Sequence, residues 1–128
     1  MFSHIMVGSN DIDKSQKFYD ALFDAMGAKP GRQDPKGRIA YTHGGSAFMI
    51  TKPINGEPAN HGNGSTIGFN FDNPEAVDKW YQAGVAAGGT ADEDPPGVRQ
   101  GTFGPLYLAY LRDPDGNKLC ALHRMPAE

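Results

Sequence analysis

An α+β fold that runs strand, helix, then mostly strands, twice over, is predicted by three features of this 128-residue sequence. The first is an internal repeat: His4 set against Thr66, a shift of 62 residues, aligns HIMVGSNDIDKSQKFYDALFDAMGA with TIGFNFDNPEAVDKWYQAGVAAGGT without a gap. The second is a matching order of hydrophobic periods in the two halves, apolar run first, then helical spacing, then alternation. The third is turn chemistry, with 17 glycines and 10 prolines placed between short apolar runs.

The elements follow in order. His4 to Val7 is a short apolar run of strand length. Asn10 or Asp11 then supplies a side-chain oxygen for the free amides of a helix start, and Asp13 suits its positive end. Ser15, Phe18, Tyr19, Leu22, Phe23 and Met26 trace one helical face, read as core, and Gly27 ends the helix. Arg38 to Thr42 and Ala47 to Thr51 alternate on either side of His43-Gly44-Gly45-Ser46, a hairpin signal.

A polar connector, residues 55–64, leads to the second copy. Thr66 to Phe71 is its first strand, and Asn73, Pro74 and Glu75 open its helix as cap, first residue and first-turn acid. Val77, Trp80, Tyr81, Gly84 and Ala87 form the buried face, and Gly88-Gly89 closes it. Asp92 to about Pro105 reads as a second long loop, a length that often rims a binding site. Leu106 to Arg112 and Lys118 to Leu122 flank Asp113-Pro114-Asp115-Gly116-Asn117, where proline presets one backbone angle and glycine supplies the positive one. The whole reads as a single domain over 1–128: module one to about 54, the connector 55–64, and module two about 65–125.

Composition narrows the function. A formal charge of −3 and a pI near 5.7 offer no basic stripe for phosphates, so a nucleic-acid partner is not expected. No apolar run reaches spanning length and the N-terminus lacks signal-peptide character, so neither a membrane nor export is expected. Cys120, the one cysteine, has no internal partner for a disulfide, which points to the reducing cytoplasm.

The opening HIMVGSNDIDKSQKFYDALF, the middle STIGFNFDNPEAVDKWYQAGVAAGG and the closing LYLAYLRDPDGNKLCALHR together resemble the vicinal-oxygen-chelate superfamily, the glyoxalase, bleomycin-resistance and dioxygenase proteins. The resemblance implies two βαβββ modules forming an open, curled mixed β-sheet barrel with the helices outside. It also implies a homodimer and, in metal-dependent members, four histidine or glutamate ligands from the first and last strand of each module. Carried over, His4 keeps the first position, Thr66 stands at the second histidine, Met49 or Ile50 at one glutamate and Cys120 at the other. Three of the four are then unsuited to a hard divalent ion, so no metal or other cofactor is expected.

Strand alternation suggests which residues line a cavity. With His4 facing in, Met6 does too; with Thr66, so do Gly68 and Asn70; with Cys120, so does Leu122; Tyr41 and Met49 join from the first hairpin. His4 reads either as a general base or ligand hydrogen-bond donor, or as a locally bonded strand histidine. Cys120 reads either as a nucleophile activated by His4 across the sheet or as a small apolar residue. His61 and Arg99, on the two long loops, either close over an anion or are simply solvated.

The expected function is metal-independent binding of a small organic molecule in the barrel cavity, with sequestration or acid–base turnover around His4 both open. The alternatives are a metal-dependent glyoxalase-type lyase (lactoylglutathione lyase-like) or dioxygenase, and a non-catalytic interaction module. Whether the protein is an enzyme stays open; as one, it would be a glyoxalase-like lyase or isomerase.

Overall fold

The computed structural model describes residues 1–126. Its elements are β1 (His4–Gly8), α1 (Ile12–Asp24), β2 (Arg32–Gln33), β3 (Ile39–His43) and β4 (Ser46–Thr51), then β5 (Ile67–Asn70), α2 (Pro74–Ala86), β6 (Thr90–Gly101), β7 (Gly104–Arg112) and β8 (Lys118–Arg124). Each half is therefore a βαβββ module. Both ends of α2 lie 62 residues beyond those of α1, the shift read from the sequence repeat. Among the described residues the strands make two mixed four-stranded sheets, ordered β1-β4-β3-β2 and β5-β8-β7-β6, and no closed barrel. In each sheet the first strand runs parallel to the last of its module and the remaining pairs are antiparallel.

Local chemistry explains the element ends. Asp11 rather than Asn10 caps α1, accepting from the Lys14 amide at 3.1 Å. Asn10 instead clasps the connector, donating to the Ala59 carbonyl at 3.0 Å and accepting from its amide at 2.7 Å. Asn73 caps α2 through the Ala76 amide at 2.8 Å, with Pro74 at the first turn, where its missing N–H is not needed. Gly44 and Gly45 both take positive φ, 59° and 87°, which gives the two-residue turn of the first hairpin the twist that its strands need.

One core serves both modules. Phe18, Tyr19, Leu22 and Phe23 from α1 pack with Val77 and Trp80 from α2, against Ile39 and Ile50 in the first sheet and Leu111 and Leu119 in the second. The helices touch each other because Gly84 leaves room: a Cβ there would stand 2.3 Å from Leu111 Cδ1 and 2.9 Å from Leu22 Cδ1. The Trp80 indole N–H is buried without a hydrogen-bond partner among the described residues.

Register assigns the sheet faces. Ile5, Phe48 and Tyr41 are aligned and face α1, as do Val7, Ile50 and Ile39. His4, Ala47 and Thr42 form the next row on the opposite, open face, followed by Met6, Met49 and Ala40. In the second sheet the open face carries the rows Gly68-Cys120-Tyr110-Asp92 and Asn70-Leu122-Leu108-Gly97.

The expected loop from Asp92 to Pro105 is instead mostly strand. β6 pairs with β7 up to Asp92 and again from Gly97, and the four residues between bulge outward opposite Ala109 alone. Pro95 and Pro96 fall inside that unpaired bulge on an edge strand, where no ladder hydrogen bond is lost to them.

Candidate functional site

A cleft of about 430 Å³ lies between the two sheets, lined by β1, β3 and β4 of the first and by β5 of the second. Ile5 and Ile67 line its sides, and Phe23, Phe48 and Phe69 its floor. The three rings form a herringbone cluster. Phe23 lies 5.2 Å from Phe48 at 78° and 5.5 Å from Phe69 at 67°, and Phe48 lies 5.9 Å from Phe69. They come from α1, β4 and β5, so both modules are needed to build the floor. Polar groups sit around it: His4, His43, Ser46 and Asn70. Among the described residues no aspartate, glutamate, lysine or arginine lines the cleft.

His4, Tyr41, Gly68 and Asn70 are the candidates from the sequence that reach this cleft. His4 Nδ1 is hydrogen-bonded to Ser3 Oγ at 2.8 Å, which leaves Nε2 for another partner. Tyr41 lies on the face opposite Met49, so the two do not line one surface as expected; the cause is register, Tyr41 being aligned with buried Phe48. Its hydroxyl donates to Asp20 Oδ1 at 2.6 Å, and burial together with that carboxylate holds the phenol far above its ordinary pKa.

Met6 and Met49 are neighbours on the open face of the first sheet, outside the cleft lining. Ile50 is fully buried beneath α1, so Met49 is the one of the two on the open face. Thr66 is exposed, one residue ahead of β5.

Cys120 and Leu122 are on the open face of the second sheet. The expected pairing of Cys120 with His4 across one sheet does not occur, because β1 and β8 belong to different sheets. Cys120 is aligned with Tyr110 instead. Burial raises its thiol pKa and the Tyr110 hydroxyl offsets only part of that, so the thiol is held protonated rather than activated.

His61 is exposed and its ring rests over the turn at Gly116, where an added Cβ would stand 2.8 Å from Nδ1. Arg99, expected on a long loop where it could close over an anion, lies within β6. Its guanidinium donates to the carbonyls of Asp94 at 2.8 Å, Pro95 at 3.0 Å, Gly97 at 3.0 Å and Leu108 at 2.9 Å. Those bonds staple the bulge shut, so the side chain is committed to backbone rather than presented to an anion.

The family model described as Glyoxalase/Bleomycin resistance protein/Dioxygenase superfamily matches residues 1–121. The chain belongs to that superfamily. A crystal structure of a glyoxalase/bleomycin resistance protein from Albidiferax ferrireducens is 58% identical, covers 97% of this chain and 99% of its own, and superposes with a TM-score of 0.93. Two remoter structures share the superfamily fold. A glyoxalase/bleomycin resistance protein/dioxygenase family enzyme from Burkholderia phytofirmans is 21% identical, covering 96% of this chain and 98% of its own, with a TM-score of 0.72. A lactoylglutathione lyase from Agrobacterium tumefaciens is 20% identical, covering 96% and 92%, with a TM-score of 0.66. No protein with a curated description matches the chain.

The divalent ion of metal-dependent superfamily members does not fit the residues here. Met49 and Cys120 stand at two of the four expected positions, and a thioether and a thiol are soft donors where a hard divalent ion needs carboxylates. Among the described residues no three histidine, cysteine, aspartate or glutamate side chains gather at one point. The floor of the cleft, Phe23, Phe48 and Phe69, went unrecognised in the sequence. Phe23 belongs to the helical stripe read as core, and nothing in a linear pattern shows that one end of that core stays open.

Proposed function

We propose that this protein is a metal-independent superfamily member that binds a small organic molecule in the cavity beside His4. The observation that carries this is the pairing of an uncharged, aromatic-floored cleft with a ligand set in which one of four expected metal donors, His4, is of the usual kind. His4 Nε2, free of its neighbours, serves as the polar contact for a ligand carbonyl or hydroxyl, or as a base toward it. Cys120 takes no part in that chemistry.

We further propose that the protein works in the reducing cytoplasm as a homodimer. Both helices pack on one side of their sheets, and the opposite faces, bearing Met6 and Met49, and Cys120 and Leu122, are the surfaces a second copy would meet. Light scattering at micromolar concentration is expected to give twice the chain mass; a monomer would remove the dimer from the proposal.

The direct test is a melting-temperature screen against diverse small molecules, run beside one with nickel, zinc, manganese and iron. Shifts are expected with some organic compounds and with none of the metals. A stoichiometric metal shift restores the metal-dependent reading, and complete silence from the organic compounds defeats the binding reading.

A further inference from the structure

Resting on that reading, we infer that the cleft between β1 and β5 selects an uncharged aromatic molecule, ring against Phe69 and Phe48 and polar edge toward His4 and Asn70. Charge is the first discriminator. With no ionised lysine, arginine or carboxylate among the lining residues, a carboxylate or ammonium entering the cleft sheds water without gaining a counterion. A neutral ligand meets no such cost.

Ring chemistry is the second. The floor is a cluster of three phenylalanines already in edge-to-face contact, two of them, Phe23 and Phe48, nearly inaccessible at 4% and 6%. Phe69 is more open, and it is the ring that an incoming aromatic can meet to extend the herringbone. Phe2 lines the same cleft yet is 72% exposed. An aromatic guest would cover it and gain a second wall.

The polar edge is the third. Neither Asn70 nor His43 spends its side chain on a hydrogen bond within the described residues, and His4 keeps one ring nitrogen free. A phenol-type hydroxyl or a ring carbonyl has partners there, and a hydrocarbon does not. The site reaches the open faces at their edges, through His4, Gly68 and Asn70, and neither Met49 nor Cys120 lines it.

Gly68 supplies a clean block. It lines the cleft, and a Cβ added to it meets no atom within 4 Å, so a larger side chain enters the cleft without disturbing the strand. The experiment is calorimetric titration of the full chain with 2-naphthol, 2-naphthoate and 2-decalol, repeated on Gly68→Leu and Phe2→Ala. Wild type is expected to bind naphthol roughly tenfold or more tighter than naphthoate and about three- to tenfold tighter than decalol. Gly68→Leu should abolish binding while keeping the wild-type melting temperature, and Phe2→Ala, altering an exposed residue that cannot threaten the fold, should weaken it. Equal or tighter naphthoate or decalol binding overturns the ligand class while leaving small-molecule binding intact. Naphthol binding indifferent to both variants overturns the location. Failure of all three probes, alongside melting shifts by other compounds, overturns this inference alone; with no shift by any compound, the proposed function falls as well.

Discussion

The Tyr19 hydroxyl on α1 donates to Asp113 Oδ2 at 2.5 Å, joining the helix of the first module to the last turn of the second. Asp113 is 4% exposed and also accepts from the Asp115 amide, the Asn117 amide and Asn117 Nδ2, at 2.9, 2.9 and 2.8 Å. Asp115 completes the seam by accepting from the Asn10 amide and the Ser15 hydroxyl. The turn thus positions one module on the other, which is what brings Phe69 of β5 against Phe23 of α1. Tyr19→Phe keeps the ring packing and removes the donor to a buried carboxylate, so it should cost about 1–3 kcal/mol in urea unfolding. A change within error would show that the remaining donors satisfy Asp113 alone.

Alkaline pH attacks the same seam. Burial, then the Asp113 carboxylate, pushes the Tyr19 phenol well above its ordinary value; burial and Asp20 do the same at Tyr41, and Tyr110 is pushed up to about 12. Unfolded tyrosine ionises near about 10, so above that pH the unfolded chain sheds protons that the folded chain keeps. Stability from these groups is therefore complete below about pH 10 and declines as pH rises past it. The urea midpoint should fall steeply between about pH 10 and 11, with phenolate absorbance appearing largely together with unfolding. Early, full phenolate absorbance in a still-folded protein would contradict the assignment.

Arg99 offers a test of the bulge. Four carbonyls converge on one planar guanidinium, and a lysine ammonium cannot span them. Arg99→Ala should cost about 1–3 kcal/mol, and Arg99→Lys should recover less than half of that. Full rescue by lysine would mean that charge, not the fork, holds the bulge.

Much of this architecture is written in local chemistry. The repeat shift, the caps at Asp11 and Asn73, the Gly44-Gly45 turn and the Asp113-to-Asn117 turn each depend on residues close together in the chain, and each is legible there. What was not legible depends on partners far away. The two prolines near residue 95 signal a loop unless one knows that β6 is an edge strand with a bulge to hold them. Tyr41 and Met49 look like neighbours on one surface until register aligns Tyr41 with Phe48 and leaves Met49 on the other face. His4 opens the first module and Cys120 lies in the last strand of the second, and only the sheet order shows that they never share a sheet. The cleft itself is a gap between edges, and gaps leave no periodic trace.

The contact of the two helices at Gly84 gives the sharpest packing test. Alanine is the better helix former, and at an exposed position the exchange from glycine would stabilise by roughly 0.5–1 kcal/mol. Here the new methyl meets two leucine methyl groups well inside contact distance, one on α1 and one on β7. Both leucines are fully buried and have little room to turn away. Overpacking of this kind costs about 1–3 kcal/mol, so the net effect of Gly84→Ala should be destabilising despite the gain in propensity. Pairing it with Leu22→Val should recover part of the loss, because that exchange shortens one of the two obstructing side chains. If the single variant is instead more stable than wild type, the helices have slack at this crossing, and the alignment of the modules depends more on Tyr19 and Asp113 than on the packed core.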